Sequence, residues 1–263
     1  MKIAIIGAGN MGGAIARGVI SGGVATSDCV KVAEPSLDKA SVLAADLGVG
    51  VFSNNCEVVE GADIVVVAVK PWLVETVLSE IKSSMDYSKQ MLVSIAAGVD
   101  FETLTHYLDK GEEKAAPAMF RVIPNTAISI MKSVTFIAHS GCSEEQVETV
   151  RAMFASMGEA VIIEEDMMLA GTSLASCGIA FAFKYLDASI AGGVELGFDE
   201  QDSRRIVLGT MKGALGLLDA NETMPQTEID KVTTPGGITL KGLAAMAESE
   251  FDEAVKQGLR KSH

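Results

Sequence analysis

The chain has 263 residues, 48% apolar and 21% charged, which excludes disordered and fibrous classes and leaves room for one or two domains with a large core. Its 21 basic and 35 acidic residues give a net charge of −14, and no basic stripe is visible, so a nucleic-acid partner is not expected. The cysteines Cys29, Cys56, Cys142 and Cys177 are widely spaced, with neither C-x-x-C spacing nor a nearby histidine pattern. That argues against a zinc centre or a disulfide framework, and for reduced thiols in the cytoplasm.

The first element is the apolar run Ile3–Ile6, short enough for a central strand buried on both faces and too short for a signal peptide. It runs into Gly7-Ala8-Gly9-Asn10-Met11-Gly12, after which Met11, Ile15, Val19 and Ile20 recur at helical spacing. Strand, glycine turn and helix start form the dinucleotide fingerprint. Gly7 permits the tight turn, Gly9 lets backbone approach a pyrophosphate, and Gly12 lets the helix pack close on the strand. The helix start offers bare N–H groups to the phosphates.

A second strand is expected at 30–34, ending at Glu34, about 20 residues beyond Gly12 where a ribose-binding acid belongs. A carboxylate there accepts from the ribose 2′-hydroxyl, favours NADH and repels a 2′-phosphate. Ser36 and Lys39 lie just beyond, within reach of such a phosphate, in a helix over 36–48. Asn55 either bonds the adenosine side or starts a helix. Residues 62–71 hold a buried strand that stops before Pro71, and 91–98 a strand running into a small-residue loop. Ligands bind at the carboxyl ends of such strands, which points to Ala68-Val69-Lys70-Pro71 and to Ala97-Gly98. Lys70 reads equally as a solvated strand-end lysine.

Further strands are expected at 118–125, 133–139 and 159–165, with an amphipathic helix at 143–158 capped by Ser143. This alternation predicts an α/β fold, a doubly wound, mainly parallel sheet, over residues 1–165. From 166 to 263 strand signals vanish and an all-helical domain follows, with helices at 167–196, 199–220, 225–232 and, as one long element, 236–262. The uncharged run Met167–Phe183 falls short of a membrane span, so no membrane partner is expected. A helix so apolar needs burial on most sides, which a partner subunit can supply.

Five strings occur in order: GAGNMG at 7–12, AVKP at 68–71, SIAAGV at 94–99, PNT at 124–126 and TTPGGITLKGL at 233–243. Together they resemble the pyrroline-5-carboxylate reductases over nearly the whole chain, most specifically in the PGG-x-T string. The resemblance implies a Rossmann-type domain that binds NADPH or NADH, and a helical domain that interlocks two subunits as a homodimer, with rings of dimers in some members. It implies reduction of the cyclic imine 1-pyrroline-5-carboxylate to L-proline. By position, Gly7, Gly9, Asn10, Met11, Gly12, Asn55, Ala68, Lys70, Pro71, Ala97 and Gly98 would line the cofactor. Ile238 and Thr239, after Gly236 and Gly237, would hold the substrate carboxylate. Glu222 matches a position near the substrate amine, and Thr172 a threonine near the ring.

The reaction needs little from side chains, because a protonated imine accepts hydride readily and positioning is the main task. His106, His139 and His263 are scattered and read as surface or structural residues. The turn TTPGGIT suits a carboxylate anchor: Pro235 stops the preceding element, the glycines free amides at a helix start, and Thr239 adds a hydroxyl.

The family's S-G-S-G-P-A-Y stretch is here ASCGIAF at 175–181, with Phe181 for tyrosine. Leu169 and Lys231 also replace a family acid and asparagine. These departures bear on the substrate pocket more than on the cofactor site, and they keep a cofactor-binding protein without catalysis open as an alternative. A β-hydroxyacid dehydrogenase would place a lysine four residues after the glycine pair, whereas Lys184 lies further on, past Gly178.

Overall fold

The computed structural model describes residues 1–111 and 116–263. They form two compact units, Met1–Ser176 and Cys177–His263, each described by itself.

The first unit is built on one sheet of strands β1 (Ile3–Ile6), β2 (Val30–Ala33), β3 (Gly50–Phe52), β4 (Ile64–Val67), β5 (Met91–Ser94), β6 (Ala118–Ile123), β7 (Ser133–Ser140) and β8 (Gly158–Ile162). Their order across the sheet is β3-β2-β1-β4-β5-β6-β7-β8. All pairings are parallel except β6 with β7. The order reverses between β1 and β4, and that switch point is where an open α/β sheet leaves a crevice at its carboxyl edge.

The apolar run of each central strand is explained by cover on both faces. On one face Ile3, Ile5, Val30, Val32, Ile64, Val66 and Phe120 pack with Ile15 and Val19 of α1 (Asn10–Ser21) and Val150 and Phe154 of α6 (Glu144–Ala155). On the other, Ala4, Ile6, Val65, Val67 and Leu92 pack against three helices. These are α3 (Asn55–Val59), α4 (Val74–Ile81) and α5 (Phe101–Leu108). Helix α2 (Leu37–Leu47) ends at Gly48 in the left-handed region, φ +67°. Helix α6 begins with the Ser143–Gln146 capping box.

Strands β4 and β5 are shorter than the apolar strings that announced them, because chain leaving a sheet edge stays small and apolar where it turns. Sequence periodicity left β3, α3, α4 and α5 unassigned; each spans eight residues or fewer.

Past the sheet, α7 (Met168–Gly171) leads through a π-helical stretch, Thr172–Cys177, into α8 (Gly178–Glu195). The long apolar helix is therefore not regular throughout. It is also longer than the uncharged run that marked it: the helical stretch Glu165–Glu195 has 31 residues and, by length and composition, is long and apolar enough to cross a membrane. The expectation that it falls short stopped at Phe183, whereas the helix carries on through Lys184 and Asp187.

Helices α9 (Glu200–Asn221) and α10 (Pro225–Lys231) follow. The single helix expected over 236–262 is two, α11 (Ile238–Glu248) and α12 (Phe251–Lys261), broken where Glu250 takes φ +55°. A left-handed residue ends the hydrogen-bond ladder, and periodicity does not register it because the apolar spacing resumes beyond.

Among the described residues of Cys177–His263, only Ser203 is buried. Phe183, Leu196, Leu215, Leu217 and Val255 are all exposed. Helices this apolar without a core of their own require cover from another surface.

Where α8 and α9 meet, a Cβ on Gly193 would strike the Ser203 hydroxyl, which donates to the Ile190 carbonyl at 2.7 Å. Gly193→Ala is expected to cost about 1–3 kcal/mol by overpacking this crossing. Chemical denaturation is the check, and an unchanged midpoint would show that the hairpin repacks freely.

Candidate active site

Gly7 leaves β1 with φ +101° and donates its N–H to the Ala33 carbonyl at 2.8 Å. A Cβ there would lie 2.7 Å from the Ala68 carbonyl oxygen at the end of β4. One on Gly12 would run into the Gly7 carbonyl and meet the Ala68 methyl at 3.0 Å. These two glycines are demanded by the protein itself.

Gly9 differs. It is the N-cap of α1 in an extended conformation, no side chain caps the helix, and a Cβ on it would touch nothing within 4 Å. Its small size makes room for something other than protein. The first bond of α1 runs from Gly13 N–H to the Gly9 carbonyl, 2.8 Å, so the amides of Asn10, Met11 and Gly12 precede the helix's own ladder. A bare helix start beside an open, Cβ-free surface fits a dinucleotide pyrophosphate.

Glu34 follows β2 and is buried, with its carboxylate already engaged: one oxygen accepts Ala8 N–H at 2.9 Å, the other Ser36 N–H at 3.0 Å. It ties the glycine loop to the β2 exit and keeps an anion at that edge. Ser36 is the N-cap of α2 without a side-chain cap bond. Asn54, not Asn55, caps α3 by accepting Cys56 N–H. Asn55 instead donates to Glu80 of α4 at 2.8 Å. Of its two sequence readings, helix capping thus passes to its neighbour.

Ala68 and Val69 are half-buried at the exit of β4, while Lys70 and Pro71 are exposed. Ala97 and Gly98 are exposed at the exit of β5, Gly98 with φ +77°. The loop ends at Asp100, which caps α5 by accepting Thr103 N–H at 2.8 Å. Hydrogen bonds from Thr103 hold the Asp100 carboxyl below its usual range, and the charge of Arg121 adds to the pull. Thr172 is half-buried, and its hydroxyl donates to the Met168 carbonyl at 2.7 Å, which leaves its lone pairs free to accept.

In the helical unit, Gly236 takes φ +75° and Gly237 is the N-cap of α11, with its N–H on the Thr234 carbonyl at 2.9 Å. No side chain caps this helix either. Ile238 and Thr239 are exposed at its first turn, so this start shares with α1 a glycine N-cap and open amides, but a Cβ on Gly237, unlike one on Gly9, would meet Thr234 Oγ1 at 2.7 Å.

Glu222 ends α9 with φ +51°, exposed. The corner that holds it is organised by Glu228, which accepts from Thr223 Oγ1 at 2.6 Å, Lys231 Nζ at 2.7 Å and Asn221 Nδ2 at 3.1 Å. The sequence reading missed Glu228; its spacing from Lys231 on one helix face is the signal that could have found it. Lys231, then Thr223, lower the Glu228 carboxyl to about 2. Its contribution to the corner is complete above the ordinary carboxylate range and is lost as pH falls towards 2. His106, His139 and His263 are all exposed.

Comparison with known proteins agrees with both halves of this description. Residues 165–263 match the family model "Pyrroline-5-carboxylate reductase dimerisation", which implies a homodimer, and residues 2–98 match "NADP oxidoreductase coenzyme F420-dependent". The chain is 33% identical to the pyrroline-5-carboxylate reductase of Aquifex aeolicus, covering 100% of this chain and 95% of that one. It is 31% identical to pyrroline-5-carboxylate reductase 2 of Dictyostelium discoideum, covering 98% and 89%. A Plasmodium falciparum pyrroline carboxylate reductase solved with NADP bound superposes with a TM-score of 0.88 at 25% identity, covering 100% and 95%. The Coxiella burnetii enzyme gives 0.90 at 25%, covering 99% and 95%. The first unit is thus an NAD(P)-binding domain, and the chain belongs to the pyrroline-5-carboxylate reductase family.

Proposed function

We propose that this chain reduces 1-pyrroline-5-carboxylate to L-proline, the last step of proline synthesis, in the cytoplasm, with NADH or NADPH. The observation that carries the reading is the pair of uncapped helix starts, at Gly9 and Gly237, in a chain whose family likeness runs its full length.

Gly7, Ala8, Gly9, Gly12 and the amides of Asn10 and Met11 surround the pyrophosphate. Glu34 and Ser36 face the adenosine ribose, with Asn55 behind them. Ala68, Val69, Lys70 and Pro71 on one side and Ala97 and Gly98 on the other flank the nicotinamide. The helical region, 166–263, forms the dimer and holds the substrate. The amides of Ile238 and Thr239, with the Thr239 hydroxyl, bind the substrate carboxylate beside Gly236 and Gly237, the latter's own N–H being held by the Thr234 carbonyl. Glu222 balances the charge on the substrate nitrogen. Thr172, its proton committed to Met168, accepts a hydrogen bond at the ring.

The reduced nicotinamide, when bound, supplies the hydride. The imine arrives protonated, so its C=N electron pair collapses onto nitrogen as the hydride reaches carbon. No side chain must then donate a proton, and the chain's task is to hold the ring in place. The exposed apolar faces of α8 and α9 are covered by the second subunit, and dimers close further into rings.

Thr239→Val is expected to raise KM for the imine about tenfold, the value of one charge-assisted hydrogen bond, with cofactor affinity intact. An unchanged KM removes Thr239 from the anchor. Because Glu34 holds its anion at the ribose edge, NADH is expected to serve at least as well as NADPH in steady-state reduction. A preference for NADPH of about a hundredfold would defeat that assignment. Sedimentation is expected to give a dimer or a multiple of it; a monomer at micromolar concentration is the contrary result.

A further inference from the structure

The segment carrying Thr172 is fastened at both ends to the same stretch of chain. At its start, Glu165 Oε1 accepts from Arg121 Nη1 at 2.7 Å, and Arg121 lies on β6. At its end, Ser176 Oγ donates to the carbonyl of Pro124, directly after β6, at 3.2 Å. The same Glu165 oxygen also accepts the N–H of Phe101, the first residue of α5, at 2.8 Å. Phe101 follows closely on Gly98. One carboxylate oxygen therefore joins the loop assigned to the nicotinamide, the strand β6, and the chain leading to the threonine assigned to the ring.

This arrangement is costly. Arg121 is 8% exposed, and its Nε is buried with no partner among the described residues. Its neighbours on the same face of β6, Met119 and Ile123, are buried apolar side chains. A third apolar residue between them would fill the space without desolvating a charge, and such replacements are commonly neutral or stabilising. Stability alone does not account for the pair. What an apolar residue cannot do is hold Phe101 and Glu165 to a fixed point.

Resting on the assignments of Gly98 and Thr172 given above, we propose that Arg121 and Glu165 are positioning residues for hydride transfer. They touch neither cofactor nor substrate. They set the spacing between the nicotinamide loop and the Thr172 turn, and a misplacement of about 1 Å at such a point costs up to ~100-fold in rate. The glycine cradle and Glu34, which grip the pyrophosphate and ribose, lie on other strands and are not held by the pair.

The test uses the intact enzyme. Glu165→Ala removes the shared acceptor, and Glu165→Gln keeps an oxygen for Phe101 and Arg121. The alanine variant is expected to lose about tenfold or more in kcat, with NADH affinity, read by cofactor fluorescence, within about twofold of the parent. The isotope effect from cofactor deuterated at the transferred position is expected to rise as the chemical step slows, and the glutamine variant to recover most of kcat. An unchanged kcat, or a parallel loss of kcat and cofactor affinity, overturns the proposal. Should the alanine variant not fold, Glu165→Asp, which draws the shared acceptor back by one methylene, takes its place: a raised isotope effect with intact NADH affinity supports positioning, and an unaltered one overturns it. Thr172→Val is measured alongside; if it leaves kcat unchanged, the assignment beneath the proposal fails, and that failure is read independently of the Glu165 series.

Discussion

The structure depends on how closely α1 approaches the ends of β1 and β4. That approach exists only because Gly7 and Gly12 carry no side chain: the carbonyls of Gly7 and Ala68 occupy the places where their Cβ atoms would be. It brings the helix start over the point where the strand order reverses, and it fixes which amides face the crevice. Glu34 completes the arrangement from the next strand by gripping Ala8. This surface is therefore set mainly by backbone, which tolerates wide sequence divergence so long as the glycines remain. This is consistent with solved structures at 25% identity that share the fold.

The two units solve opposite problems. The first buries its own core completely, with Ile5, Ile15, Val66 and Phe154 inaccessible to solvent. The second has helices without an interior and leaves Leu196 and Ile238 almost fully exposed. A monomer would pay for that surface in solubility, so the family's dimerisation module is a condition of the unit's stability as well as a route to assembly.

The sheet was legible because each central strand is a short apolar run bounded by glycine or small residues, and the order of strings fixed the dinucleotide half. The glycine cradle and the Gly236-Gly237 turn were legible for a related reason: Gly7 and Gly236 take positive φ, which favours glycine, and a Cβ on Gly12 would strike a carbonyl. Short elements such as β3 and α3 were not, since a few residues cannot display a period. The break at Glu250 was hidden because a non-glycine residue in the left-handed region has no clear sequence mark. The Arg121–Glu165 pair was invisible because its partners lie 44 residues apart and meet only through the fold.

The π-helical stretch Thr172–Cys177 bears on everything after it. A wider turn advances the chain by more residues per revolution, so it resets the angular phase of each later side chain about the axis. The register of side chains along α8 is therefore set just upstream, by the six residues that lead into it. Adding or deleting one residue in that stretch would rotate Phe183, Tyr185 and Val194 together, as a screw thread shifts when one pitch is cut differently.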